Sequence, residues 1–386
     1  MEKLECKRRI MNINWGPGVP PNVVKVIFSK LTICNLPVCR LVCKTWNHLV
    51  LDYTSSLKFV PNVFLVSTYD ILFNRNCNCH PRCFPSFKCN PKMHCLDIDT
   101  MSYVASFVFD KNDWPKIQIF NSCNGLLYIY KYSDHDGCCN GILNLMTNEF
   151  FKLPQPKVKN KNIHCVYGFG FSCKTKQYKL FKAIHEQGDS HSMMEIMRFG
   201  RNETKEWRHF DCMPFVFYYH GAYLNGVIYW IGREKENKFV IYGLDVETEK
   251  IESITVLEVG LYSSNHGYIG KFNGSLYATI SIHGTCCKKV QLWIMQGKDS
   301  WIKECVIYDM LIYGIDGFLQ LIKVFEDGER WFLVRDQIFC FDKTGTKIKI
   351  KNWNRKDRGK QFIAGFCQIE SFNFRSLQNI LAGEDI

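Results

Sequence analysis

The chain has 386 residues, 46% of them hydrophobic, 15% aromatic and only 22% charged. That balance excludes disorder as the main state and allows two or three domains, or one small module beside a large repeat structure. The formal charge of +12 suits nucleic acid, anionic membranes and acidic proteins alike, while apolar runs such as 227–231 fall far short of the roughly 18–20 residues that span a bilayer.

Residues 1–18 read as a mobile leader. Lys7, Arg8 and Arg9 are followed by no apolar stretch, so no secretory signal is expected. The 20 cysteines are then expected as reduced thiols in cytosol or nucleus. A first helix is predicted after Pro20 and Pro21, where Val23, Val24, Ile27, Phe28 and Leu31 recur at amphipathic spacing. A second, short helix follows a cap at Asn35 and carries Leu36, Val38, Cys39, Leu41, Val42 and Cys43 on more than one face. A third runs from about 44 to 52, with Trp46, Leu49, Val50 and Tyr53 at i, i+3, i+4 and i+7. Three helices this short cannot bury all of these side chains among themselves, so either a partner or the rest of the chain must cover the surplus.

The run Val19-Pro20-Pro21-Asn22-Val23-Val24, then Ile27-Phe28-Ser29-Lys30-Leu31, then Arg40-Leu41-Val42-Cys43-Lys44-Thr45-Trp46 resembles the F-box motif over about residues 19–52. Val19 stands where that family has leucine, Asn22 near its usual acid and Thr32 at its proline. The resemblance implies a three-helix module that inserts into the Skp-family adaptor of a cullin–RING ubiquitin ligase. On that likeness Pro20, Val23, Val24, Ile27, Phe28 and Leu31 face the adaptor, with Leu36 contributing from the second helix. Leu41, Val42, Trp46 and Leu49 then hold the three helices together.

From about residue 59 the pattern changes to short apolar or alternating runs between turn residues, at 63–67, 125–130, 227–231, 275–282, 290–295 and 330–335. These read as many short strands. Asn-Gly-x-apolar-Tyr recurs at 124–128, 225–229 and 273–277, with glycines 101 and 48 residues apart. Polar turns centred on Thr100, Thr147, Thr204, Thr248, Lys298 and Thr344 follow one another at intervals of 44 to 57. A period near 45–50 residues with about four strands is the size of a propeller blade, and about six blades are expected. Lys347, Lys349 and Lys351 alternate with Ile348 and Ile350 inside the basic stretch 343–360, the signature of a half-buried edge strand.

Ser122-Cys123-Asn124-Gly125-Leu126-Leu127, Asn144-Leu145-Met146-Thr147, Tyr167-Gly168-Phe169-Gly170-Phe171, Leu224 to Trp230, Leu244 to Glu249 and Leu292 to Met295 resemble, in order, the F-box-associated region of plant F-box proteins. That likeness covers nearly all of residues 100–305 and implies a domain that selects a substrate protein.

Catalytic motifs are missing: no His-Glu-x2-His, no phosphate-binding Gly-x4-Gly-Lys-Ser/Thr and no Gly-x-Ser-x-Gly. Gly168-x-Gly170 lacks a third glycine. Cys77, Cys79, Cys83 and Cys89 form a weak zinc candidate, with His80, His94 and Cys95 nearby, but their spacing lacks paired Cys-x2-Cys knuckles. Phe215, Tyr218, Tyr219, Tyr262 and Tyr268 are candidate contacts on a substrate-binding face.

The fold expected is mainly β with a small α N-terminal module: leader 1–18, F-box 19–55, β-propeller-like domain 59–378 and tail 379–386. The function expected is non-catalytic, a substrate-recognition subunit that links an adaptor to an unidentified target protein for ubiquitination. No cofactor, no membrane and no nucleic acid are expected among its ligands. A basic nucleic-acid-binding propeller is the alternative, with a propeller enzyme behind it, and neither accounts for the helical head.

Overall fold

The computed structural model describes residues 19–31, 35–56, 63–70, 92–97, 102–108, 116–133, 137–154, 163–186, 191–200, 203, 206–213, 216–217, 219, 221–234, 238–257, 264–283, 288–297, 300–308, 319–334, 337–352, 361–368 and 377–382. The leader, the zinc candidates and the turns at Thr100, Thr204 and Lys298 lie outside them.

Helix α1 (Pro21–Lys30) opens on proline at its first turn, where the missing N–H has no intrahelical role. The carbonyl of Pro20 accepts the amides of Val23 and Val24 at 2.9 and 3.1 Å. Helix α2 (Leu36–Cys39) is a single turn, and the Asn35 side chain does not cap it. Asn35 itself sits in the right-handed helical region, not the extended conformation an N-cap requires. Helix α3 (Lys44–Ser56) runs a turn beyond the expected end. Its start is held by Cys43, whose Sγ accepts the Trp46 amide at 3.4 Å.

The strands form six antiparallel sheets. The first contains β1 (Val63–Asp70), β2 (Lys92–Asp97) and β3 (Ser102–Val108). The second has β4 (Lys116–Cys123), β5 (Leu126–Ser133), β6 (Gly137–Asn144) and β7 (Glu149–Lys152). The third has β8 (Ile163–Ser172), β9 (Gln177–Glu186), β10 (Ser192–Arg198) and β11 (Arg208–Met213). The fourth has β12 (Val216–Phe217), β13 (Ala222–Leu224), β14 (Val227–Arg233), β15 (Phe239–Asp245) and β16 (Lys250–Leu257). The fifth has β17 (Ser264–Phe272), β18 (Ser275–His283), β19 (Lys288–Met295) and β20 (Trp301–Ile307). The sixth has β21 (Gln320–Val324), β22 (Arg330–Val334), β23 (Gln337–Phe341) and β24 (Lys347–Asn352).

A last strand, β25 (Gln361–Gln368), pairs with β1 and completes the first sheet in the order β25-β1-β2-β3. The register from Phe64↔Gln368 to Asp70↔Gln361 ties the end of the β body to its beginning, which closes a propeller of six blades with only short edges left. The lysine-bearing β24 is the outer strand of its sheet, as the alternation predicts.

The recurring Asn-Gly pairs are two-residue hairpin turns. Both residues have positive φ at 124–125 (47° and 76°), 225–226 (48° and 86°) and 273–274 (48° and 71°), the type I′ geometry that asparagine and glycine tolerate. The described Thr turns join the last two strands of their sheets, and an Asx side chain organises them. Asp245 Oδ1 accepts the Thr248 amide at 2.7 Å, and Asp342 Oδ1 accepts those of Thr344 and Thr346 at 2.8 and 2.9 Å.

Neighbouring sheets pack face to face through apolar clusters. Gly168 explains one close approach: a Cβ there would fall 2.2 Å from Trp230 Cζ2 on β14. Its role is packing, in keeping with a glycine pair that lies in a strand.

One expectation is corrected at the C-terminal end. The tail placed from 379 is partly helix α4 (Leu377–Ala382). Leu377, Ile380 and Leu381 are buried in the cluster shared by the second to fourth sheets, because their i, i+3, i+4 spacing gives one apolar stripe.

Candidate functional site

Helix α1 carries apolar side chains over about half its circumference, more than one packing surface needs. Val24, Phe28 and Leu31, at i, i+4 and i+7, point inward. Val24 and Phe28 are buried and Leu31 is half-buried, in a cluster with Leu36, Cys39 and Val50. The cluster continues into the second sheet through Ile119, Leu127, Ile129, Leu143, Leu145 and Met146. Phe28 is its centre, with ring centroids 5.4 Å from Trp46 and 5.7 Å from Tyr53. Trp46 and Leu49 are half-buried against the same cluster.

The adjoining stripe is uncovered. Val23 is 43% exposed, Val26 60% and Ile27 38%, and beyond them Val38 is 61% and Leu41 77% exposed. With Val19 and Val42, residues 19–42 supply seven of the ten large apolar side chains that stand exposed among the described residues. A concentration of that kind marks a contact surface.

The expected roles are thus redistributed. Of the residues assigned outward, Pro20, Val23 and Ile27 face solvent, whereas Val24, Phe28 and Leu36 are buried in the cluster that this chain's own α3 and second sheet share with them. Leu41 and Val42, assigned to the helical core, are exposed because α2 is one turn long and the chain has left it by residue 41. Val50 takes the core place: it is buried one residue after Leu49.

Polar contacts brace the helices. Lys25 Nζ meets Asp52 Oδ2 at 2.5 Å, joining α1 to α3 across exposed surface, where such a pair contributes little energy. Arg40 Nε donates to Asn47 Oδ1 at 2.7 Å. Burial pushes the Cys39 thiol up from its ordinary pKa, so it behaves as a small core residue.

On the β body, Phe215, Tyr218 and Tyr262 lie outside the described residues. Tyr219 and Tyr268 meet edge to face at 5.3 Å, and Tyr268 leans on Tyr277 at 6.0 Å. Tyr277 Oη in turn accepts the Leu321 amide at 3.0 Å. Burial raises the Tyr219 and Tyr277 phenols. The row links the fourth, fifth and sixth sheets, a packing duty for Tyr219 and Tyr268.

A buried charge cluster also joins blades. Lys179 Nζ contacts Glu249 at 2.7 Å and donates to the Val246 carbonyl at 2.7 Å. Arg198 Nε donates to the oxygen that Lys179 contacts, Glu249 Oε1, at 2.8 Å, and its Nη2 donates to Glu249 Oε2. Among the described residues no group of three or more His, Cys, Asp or Glu could hold a metal. Among the described residues Cys39, Cys43, Cys165, Cys173, Cys212 and Cys305 are free thiols. Cys77, Cys79, Cys83 and Cys89 lie outside the described residues.

Comparison with known proteins matches these two parts separately. Residues 18–55 match the F-box domain, and residues 85–347 match the F-box associated beta propeller domain. An F-box protein of Arabidopsis thaliana, At3g07870, is 26% identical over 362 residues, covering 81% of this chain and 80% of its own. F-box protein DOR, also from Arabidopsis thaliana, is 26% identical over 304 residues, covering 75% and 74% respectively.

Proposed function

Because the chain belongs to the F-box proteins with an associated β-propeller domain, a family of adaptor-bound recognition subunits, we propose that it recruits one target protein to a Skp–cullin–F-box ubiquitin ligase. The uncovered stripe Val23, Val26, Ile27, Val38 and Leu41 is the surface a Skp-type adaptor covers. The propeller holds the target. The chain itself makes and breaks no bond: it raises the effective concentration of a target lysine near the reactive thioester.

A single observation carries this reading. Seven of the ten large apolar side chains exposed among the described residues gather on the helical head, while the inward stripe of the same helix is already satisfied. The nucleic-acid alternative gives no reason for such a stripe.

The test is co-purification with a Skp-type adaptor, comparing the intact chain with Ile27→Asp. Deleting residues 1–55 would be a poorer control, since it bares Leu127, Ile129 and Leu143. Recovery of adaptor with the intact chain and its loss with Ile27→Asp support the reading; equal recovery with both removes it. Cytosol and nucleus, where such ligases meet their targets, are the compartments proposed.

A further inference from the structure

Between the helical head and the propeller runs a cleft of about 530 Å³. One wall is Val38, Arg40 and Leu41, from α2 and the turn after it. The other is Met146, Thr147 and Glu149, from the turn between β6 and β7. Val38 and Leu41 are the two most exposed large apolar side chains described, and they form the lip of the cleft as well as the end of the uncovered stripe.

Both walls are built before anything enters. On the head, the Leu41 amide donates to the Val38 carbonyl at 3.0 Å and the Val42 amide to that of Cys39 at 3.2 Å. On the propeller, Asn144 Oδ1 accepts the Met146 amide at 3.1 Å and Thr147 Oγ1 donates to Glu149 Oε2 at 2.8 Å. Glu149 also accepts the Leu377 amide of α4. Met146 belongs to the cluster that seats the head, so the propeller wall of the cleft cannot shift without loosening that seat.

We infer that the Skp-type adaptor fills this cleft, and that its footprint crosses from the F-box onto the propeller turn 145–149. The inference rests on the proposed function. The occupant is fixed by continuity: any surface that covers Val38 and Leu41 lies against the opposite wall, only a cleft's width away. An apolar side chain of the adaptor, set between Leu41 and Thr147, meets apolar groups on both sides. The propeller therefore helps to choose the adaptor as well as the target.

The experiment measures adaptor affinity by calorimetry for the intact chain, Thr147→Arg and Thr147→Ser. Thr147→Ser keeps the hydroxyl that reaches Glu149. Expected are at least about tenfold weaker binding for Thr147→Arg, affinity within about twofold for Thr147→Ser, and unchanged melting for both. In parallel, a photo-crosslinking side chain at 147 should capture the adaptor, while one at the exposed Glu252 of the fourth sheet should not. If Thr147→Arg alters melting, the crosslink decides. Undiminished affinity of Thr147→Arg, or no crosslink from 147 in an adaptor complex that forms, overturns the inference and leaves the proposed function standing. No adaptor binding by the intact chain overturns both.

Discussion

Phe28 and Ile27 are neighbours on one helix and should fail in different ways when shortened. Phe28 is 1% exposed and centres the cluster that joins the head to the second sheet. Phe28→Ala should destabilise by about 3–5 kcal/mol, a large share of the roughly 5–15 kcal/mol that holds a domain together. Ile27 and Val23 lie outward. Full burial of such a side chain is worth about 1.5–3 kcal/mol. The exposed fractions of 38% and 43% leave the pair about 1–2 kcal/mol to gain when an adaptor covers them. The double variant V23A/I27A should then weaken adaptor binding by about 5- to 30-fold, with little change in melting temperature. The assay is a thermal melt and an adaptor titration on each variant. The reasoning is refuted if Phe28→Ala melts like the parent chain, or if V23A/I27A binds adaptor undiminished.

Burial opposes ionisation of Glu249, but hydrogen bonds from Arg198 and Lys179, with their charges, prevail and hold its carboxyl below the ordinary range. Its contribution is complete above the unfolded carboxylate pKa of about 4.3 and is lost as pH falls through the lower folded value. Glu249→Gln should therefore flatten the acid limb of a stability-versus-pH curve, and at pH 7 should cost about 3 kcal/mol by leaving Lys179 buried without its counter-charge; a parallel downward shift at every pH would contradict this. Gly226→Ala meets no atom within 4 Å and faces only a φ of +86°, whereas Gly345→Ala would put a Cβ 2.2 Å from the Val306 carbonyl oxygen. Chemical denaturation should show the first losing about 1–2 kcal/mol and the second clearly more. Truncation after residue 376 removes three buried side chains, and a melt should record a loss of about 4–8 kcal/mol, with no loss if the segment were a loose tail.

The β architecture was legible because its turns carry their own geometry. Asn-Gly set between two apolar runs, as at 124, 225 and 273, adopts the positive φ of a two-residue hairpin turn, and the spacing of such turns sets blade size. The lysine alternation at 347–351 likewise announced an outer strand. Helix α1 was legible in its bounds but not in its allegiance. Both Val24 and Val23 are apolar and both lie on an apolar face; the positions of α3 and of the second sheet, the latter set by strands far along the chain, decide which is covered. Leu41 was misplaced because residues 40–43 look helical by composition, although α2 ends at Cys39. The i, i+3, i+4 stripe at 377, 380 and 381 was readable, yet a six-residue helix has too little pattern to stand out from a terminus.

Hydrogen exchange of the chain with and without a Skp-type adaptor tests most directly whether the head is held on one side by the propeller while a partner takes the other. The account predicts added protection in α1 and α2, with β5 and β6 protected as strongly as before. Deprotection of β5 and β6 on binding, showing that the helices must leave their seat to meet the adaptor, would contradict it.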